Sequence, residues 1–195
     1  MTKTAFESPE SLDKLHQIFT TPLLQREYTN NTDLNQQLKD YILQLEKQHT
    51  DRNTKTSIKS NVSGWRSKDD LLKIDSPSIR LLTKMMVETT QLMLSKAPGV
   101  APKKFKFEMF AWANINRNGG FNTPHIHPGY NFAGIYYVST GNPDDTYDRN
   151  SQLDILDPRP GAQAMPTLGF DFGVTLHVKP KPGLLLMFPA WLMHN

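Results

Sequence analysis

The chain has 195 residues, no cysteine, and 22 basic against 19 acidic side chains, for a formal charge of +3. That length fits a single domain with a core that needs no disulfides, and the lack of Cys excludes thiolate zinc sites, iron–sulfur clusters and a cysteine nucleophile. The cations are scattered apart from Lys103, Lys104 and Lys106, the N-terminus has no apolar leader, and no run approaches the roughly 20 apolar residues that cross a bilayer, so a cytoplasmic protein with neither nucleic-acid nor membrane partner is expected.

The first third is polar. Its clearest element runs from Asp33 to Gln48, where Leu34, Leu38, Tyr41, Ile42 and Leu45 recur at helical spacing behind Thr32 or Asn31 as cap. From Thr50 to Ser63 almost no residue is apolar, which predicts a loop with some order around Ile58, and Gly64-Trp65 marks the return to a core. Ser76-Pro77 opens a second helix, a good cap followed by Pro at the first helical position. It turns Ile79, Leu82, Met86, Leu92 and Met93 inward until Pro98-Gly99.

Beyond Lys103 the period changes to two: Phe105, Phe107, Met109, Ala111 and Ala113 alternate with Lys106, Glu108, Phe110, Trp112 and Asn114. Strands are predicted at 104–115, 132–139, 152–156, 174–178 and 183–188, separated by Gly, Pro, Asn and Asp clusters, with an exposed loop at 141–150. Many short strands at such spacing suggest a sandwich, jelly roll or barrel. The expected organisation is one domain, with a helical N-terminal part over 1–100 and a β core over 101–195.

Four of the six histidines follow position 124. His125 and His127, two apart on an extended segment, point to one side, between Gly119-Gly120 and Pro128-Gly129, where the backbone suits the mouth of a barrel. His194 follows the apolar strand Leu184 to Phe188 and a Pro-containing turn that returns it over the same mouth. Three imidazoles so placed suit a metal with open positions, and Tyr136, Tyr137, Asn131 and Asn114 offer polar groups around it. His16 and His49 read as surface residues and His177 lacks motif support. Trp65, Trp112 and Trp191 read most simply as core, with an aromatic wall for the substrate as the other reading, strongest for Trp191.

The ordered segments Trp112-Ala113-Asn114, His125-Ile126-His127-Pro128, Gly134-Ile135-Tyr136-Tyr137-Val138, Asp157-Pro158-Arg159, Lys179-Pro180 and Phe188-Pro189-Ala190-Trp191-Leu192-Met193-His194 together resemble the 2-oxoglutarate and iron(II)-dependent oxygenases, in particular a branch with a His-x-His-Pro motif. Phe19-Thr20-Thr21-Pro22 and Ser63-Gly64-Trp65 are similar to the N-terminal part of that branch, so the resemblance spans nearly the whole chain. It implies a mainly β fold with N-terminal helices, a double-stranded β-helix (a cupin-like jelly-roll barrel) with helices packed on one sheet. It also implies Fe(II) held by His125, His127 and His194, with 2-oxoglutarate as cosubstrate, and hydroxylation of an unknown small-molecule or peptidyl substrate with release of succinate and carbon dioxide.

Two departures stand out. His127 occupies the position most relatives give to Asp or Glu, which leaves the iron site at +2 and strengthens its pull on an anionic ligand; Asp157 is the alternative carboxylate, though an Asp before Pro also fixes an Asp-Pro-Arg corner. The Arg expected on a strand about ten residues beyond the last His would lie past Asn195, so the chain reads as truncated there, with an open sheet edge that suits a homodimer. Arg159, Tyr136 or its neighbour Tyr137, Asn131 and Asn114 are the cosubstrate contacts proposed from the sequence, with Lys179 and Lys181 as weaker candidates for the charge. The competing functional classes are a cupin-like three-His dioxygenase that does not use 2-oxoglutarate and a non-catalytic β-barrel binding module.

Overall fold

A computed structural model describes residues 18–50, 60–96, 106–142, 151–164 and 173–195. Among the described residues, two α-helices and nine strands follow in the order β1 (Leu24–Glu27), α1 (Thr32–Thr50), β2 (Asn61–Val62), β3 (Trp65–Arg66), α2 (Pro77–Ser95), β4 (Asn114–Ile115), β5 (Phe121–Asn122), β6 (Phe132–Tyr136), β7 (Leu153–Ile155), β8 (Leu176–Val178) and β9 (Leu184–Pro189).

Both helices form where their periodicity places them. The stripe of α1 turns Leu38, fully buried, together with Leu34, Tyr41, Ile42 and Leu45 toward Ile79 and Leu82 of α2. At the start of α2 the Ser76 hydroxyl accepts from the Ile79 N–H at 3.2 Å and Pro77 sits where no N–H is needed.

The centre of the molecule is β9, paired antiparallel with β1 on one side and β6 on the other. All six of its residues are buried, which explains a continuous apolar run instead of an alternation. Leu184, Leu186 and Phe188 face an interior cluster with Leu153, Ile155, Val178 and Leu192. Its other face meets α2, and Tyr136, opposite Leu185 in the register, packs among the helix side chains. Helices therefore cover one face of this sheet. At the turn into β9, Gly183 has φ +91°, and a Cβ there would meet the Tyr28 carbonyl, so only glycine fits.

The remaining strands form the pairs β2–β5, β3–β4 and β7–β8. Two isolated bridges, His125 to His194 and Ile155 to His194, connect the end of the β2–β5 pair to the β7–β8 pair. A closed double-stranded β-helix is not assigned among the described residues; the largest sheet assigned among them is the three-stranded one.

Several expectations are corrected. The segment from Lys106 to Ala113 is not a ladder strand, although its alternation holds, because its backbone groups go elsewhere: Ser67 N–H donates to Ala113 O, Leu71 N–H to Ala111 O, and Ala113 N–H to the Ser67 hydroxyl. The N-terminal part is not wholly helical, since β1 forms an outer strand of the central sheet and Asn61–Val62, expected in a loop, pairs with Phe121–Asn122. The expectations for His16, Ile58 and the loop over 143–150 lie outside the described residues. The strands read at 132–139, 152–156, 174–178 and 183–188 are present at 132–136, 153–155, 176–178 and 184–189.

Candidate metal centre

Three imidazoles converge where the segment after β5 meets the segment after β9. His125 N–H donates to His194 O at 2.9 Å and His194 N–H returns to His125 O at 3.1 Å, while His127 N–H donates to Ala190 O at 2.8 Å. On its far side, His194 is flanked by β7, with Leu156 N–H on Met193 O and Asn195 N–H on Asp154 O. The ligand-capable atoms of His125, His127 and His194 lie within 4.8 Å of one another.

Hydrogen bonds fix the chemistry of two of the rings. His125 Nδ1 lies 2.8 Å from the Thr123 carbonyl and His194 Nδ1 2.8 Å from the Leu192 carbonyl. A carbonyl only accepts, so both Nδ1 atoms carry a proton, and in the neutral ring the lone pair available to a metal is then the one on Nε2. Burial pushes His194 down to about 4, with the Leu192 carbonyl opposing and the other two imidazoles adding to the shift. Burial also lowers His127, with His125 and the Arg66 cation contributing. These rings are therefore neutral near pH 7, the state that binds metal. The donor set, three neutral nitrogens on facing backbone segments, fits a divalent first-row metal.

The other sequence candidates are distributed more widely. Tyr136 donates its hydroxyl to Asn35 Oδ1 of α1 at 2.8 Å, on the helix side of the sheet. Its neighbour Tyr137 packs against the interior cluster, so it is the inward tyrosine of the two, and burial raises its hydroxyl to about 12. The Asn131 carbonyl accepts from Ala190 N–H, the residue whose own carbonyl holds His127. Asn114 is exposed opposite Arg66 in the β3–β4 pair. Arg159 grips Asp157 through Nε and one terminal nitrogen, and Asp157 also accepts from Gly173 N–H, which makes this Asp the fastening of its own turn. His177 bonds Asp154 at 2.6 Å across β7–β8 and is not one of the three converging rings.

Trp191 departs from its core assignment. It is 52% exposed, because Ala190, Leu192 and His194 take the inward positions of that segment. A row of rings lies beside His127, in which Trp112 takes the place of the aromatic-wall alternative and Phe110 and Tyr130 are additions to the sequence candidates: Trp112 lies 5.8 Å from His127, Phe110 6.0 Å from Trp112, and Tyr130 4.8 Å from Phe110. The period-two pattern that puts Phe110, Trp112 and Asn114 on one face was the available signal.

Residues 110–195 match the model of a family described as "Putative 2OG-Fe(II) oxygenase". The matched segment contains all three imidazoles and carries a 2-oxoglutarate and iron(II) oxygenase domain. The activity class is thus that of a 2-oxoglutarate and iron(II)-dependent oxygenase, whose two cofactors its name states. Among solved structures, the fold is similar to the crystal structure of a Pseudomonas putida prolyl-4-hydroxylase, with a TM-score of 0.58 and 14% identity, covering 90% of this chain and 84% of that one. No curated protein matches in sequence. Among the described residues no helix is long and apolar enough to cross a membrane.

Proposed function

We propose that His125, His127 and His194 hold iron(II) and that the protein hydroxylates saturated carbon in a small-molecule or peptidyl substrate in the cytoplasm. The observation that carries this reading is the cluster of three imidazoles whose ligand-capable atoms lie within 4.8 Å of one another, with Nδ1 bonds to the Thr123 and Leu192 carbonyls that reserve Nε2 of His125 and His194 for a metal. Iron(II) and 2-oxoglutarate, when bound, supply the oxygen activation that yields succinate, carbon dioxide and an oxidised C–H bond.

The chain's own residues position and exclude. The isolated bridge between His125 and His194 sets two rings on paired backbone segments. Phe188, fully buried, meets the His194 ring edge at 4.7 Å and keeps water from that side. Tyr137 retains its proton at neutral pH and faces the interior, so it replaces Tyr136 as the tyrosine assigned to the cosubstrate; Asn131 and Asn114, read as contacts from the sequence, are both exposed. Arg159 is held by Asp157 and is not assigned to it. The bridges through His194 support a jelly-roll reading, in which β2, β5, His125, His194, β7 and β8 form the sheet facing β1, β9 and β6.

Addition of Fe(II) and then 2-oxoglutarate without oxygen tests this. The expected result is the visible charge-transfer absorption of a chelated 2-oxoacid, lost in His125→Ala and His194→Ala. Iron binding with no such band overturns the use of 2-oxoglutarate and points to a three-imidazole dioxygenase; no iron binding overturns the metal site.

A further inference from the structure

The extended segment that leads into β4 has two faces of different fate. Ala111 and Ala113 pack into the helical core, whereas Phe110 and Trp112 point the other way, toward His127. Tyr130, two residues beyond Pro128, tilts onto Phe110 at 58°. Phe110 is 38% exposed and Tyr130 54% exposed, so two large rings stay in water while touching each other and continuing through Trp112 to a metal-site imidazole. Single exposed rings are ordinary, but a contiguous row that ends at a reactive centre marks a binding surface.

We propose that Tyr130, Phe110 and Trp112 form the substrate shelf of this site and that it takes an uncharged substrate whose reacting part is saturated hydrocarbon. The inference rests on the oxygenase reading for what happens to that carbon, but the shelf itself is defined by the rings.

Charge and shape select the class. The Arg66 guanidinium already lies 4.2 Å over the Trp112 ring, with its side chain 13% exposed, and it is paired with Asp69 at 2.6 Å. A cationic guest finds the best ring face occupied by a cation and is repelled by it. An anionic guest gains little, because Asp69 already answers the Arg66 charge. A planar guest needs one flat platform, yet successive rings turn by 26° and 58°. A saturated group, with C–H bonds pointing several ways, contacts all the tilted faces at once. The reaction class agrees, since the carbon seated against Trp112 lies beside His127.

The test uses the full chain labelled with 5-fluorotryptophan, whose three resonances, Trp65, Trp112 and Trp191, are assigned by Trp→Phe replacement. Cyclopentanecarboxamide, benzamide and tetramethylammonium are titrated against the metal-free protein and followed by fluorine NMR. The expected result is a saturable shift of Trp112 with cyclopentanecarboxamide, an unmoved Trp65, and binding at least about fivefold weaker for the other two probes. Phe110→Ala and Tyr130→Ala each weaken the first probe by about fivefold, consistent with loss of one ring contact; the Trp65 resonance reports that the fold is intact. No Trp112 response to any probe overturns the shelf, and equal or tighter binding of benzamide or tetramethylammonium overturns the substrate class. The 2-oxoglutarate band is read separately: its failure with the probe response intact removes the oxygenase reading and upholds the shelf, whereas the band without a probe response removes the shelf alone.

Discussion

His125 and His194 are backbone partners across a single antiparallel bridge, each donating its N–H to the other's carbonyl at 2.9 and 3.1 Å, and their rings lie 4.3 Å apart. The two ligands are thus aligned before any metal arrives. Metal binding is then expected to raise thermal stability by mass action, by about 2.7 kcal/mol at a hundredfold excess over Kd. Differential scanning fluorimetry with Fe(II), or Ni(II) in air, should show the rise in the parent and none in His125→Ala or His194→Ala. His127→Asp is expected to keep it, because a carboxylate replaces one neutral donor, and His127→Ala to lose most of it. An unchanged shift in His127→Ala removes that residue from the ligand set.

Tyr136 serves the helix face. Its hydroxyl donates to Asn35, which is 8% exposed, so removal leaves a buried amide oxygen short of a donor. Tyr136→Phe should cost about 1 kcal/mol in urea unfolding and leave 2-oxoglutarate affinity within twofold of the parent. A tenfold loss of affinity at unchanged stability would return Tyr136 to the cosubstrate.

Asp157 makes stability depend on acid. Its carboxylate is 5% exposed, and the Arg159 guanidinium first, with backbone N–H bonds from Arg159 and Gly173, holds it well below the usual carboxylate range. The unfolded chain therefore takes up this proton before the folded one, so the contribution is complete above pH of about 4 and is lost as pH falls toward the lower folded value. Asp157→Asn should be less stable than the parent at pH 7 by urea unfolding, and the gap should narrow at pH 3. A gap that stays constant over that range would show that the carboxylate's charge is not what fastens the turn.

The sequence and the structure agree most closely where one physical signal dominates. The stripe of α1, the Ser76-Pro77 start of α2 and the apolar run of β9 each need only local pattern to be read, and each is present. The convergence of His125, His127 and His194 followed from spacing and a recognisable order of motifs. What escaped depends on long-range pairing. The chain from Lys106 to Ala113 alternates like a strand, yet its partners are Ser67 and Leu71, far away in sequence. The β1 strand has three polar residues of its four, Gln25, Arg26 and Glu27, and is held by β9, so nothing local announces it. Which of Tyr136 and Tyr137 faces inward depends on a one-residue register that composition does not carry. Arg159 donates to Asp157, two residues away, a short-range pairing that a motif match does not weigh.

Phe188 links the core to the metal centre. It is fully buried on the interior face of β9, opposite Ala133 of β6, and its ring meets His194 edge-on at 4.7 Å. Phe188→Ala opens a cavity in the interior cluster and should cost about 3–5 kcal/mol, whereas Phe188→Leu keeps most of the volume and should cost less than about 1.5 kcal/mol. The two variants separate packing from ligand support. With the fold retained in Phe188→Leu, the His194 ring loses the flat partner that restricts its rotation, so metal affinity should fall several-fold more than the small stability change accounts for. Calorimetric titration of Fe(II) without oxygen, beside urea unfolding of the same protein, checks both numbers. Parent-like affinity in Phe188→Leu would mean that the Nδ1 bond to the Leu192 carbonyl and the bridge to His125 are sufficient to hold the ring.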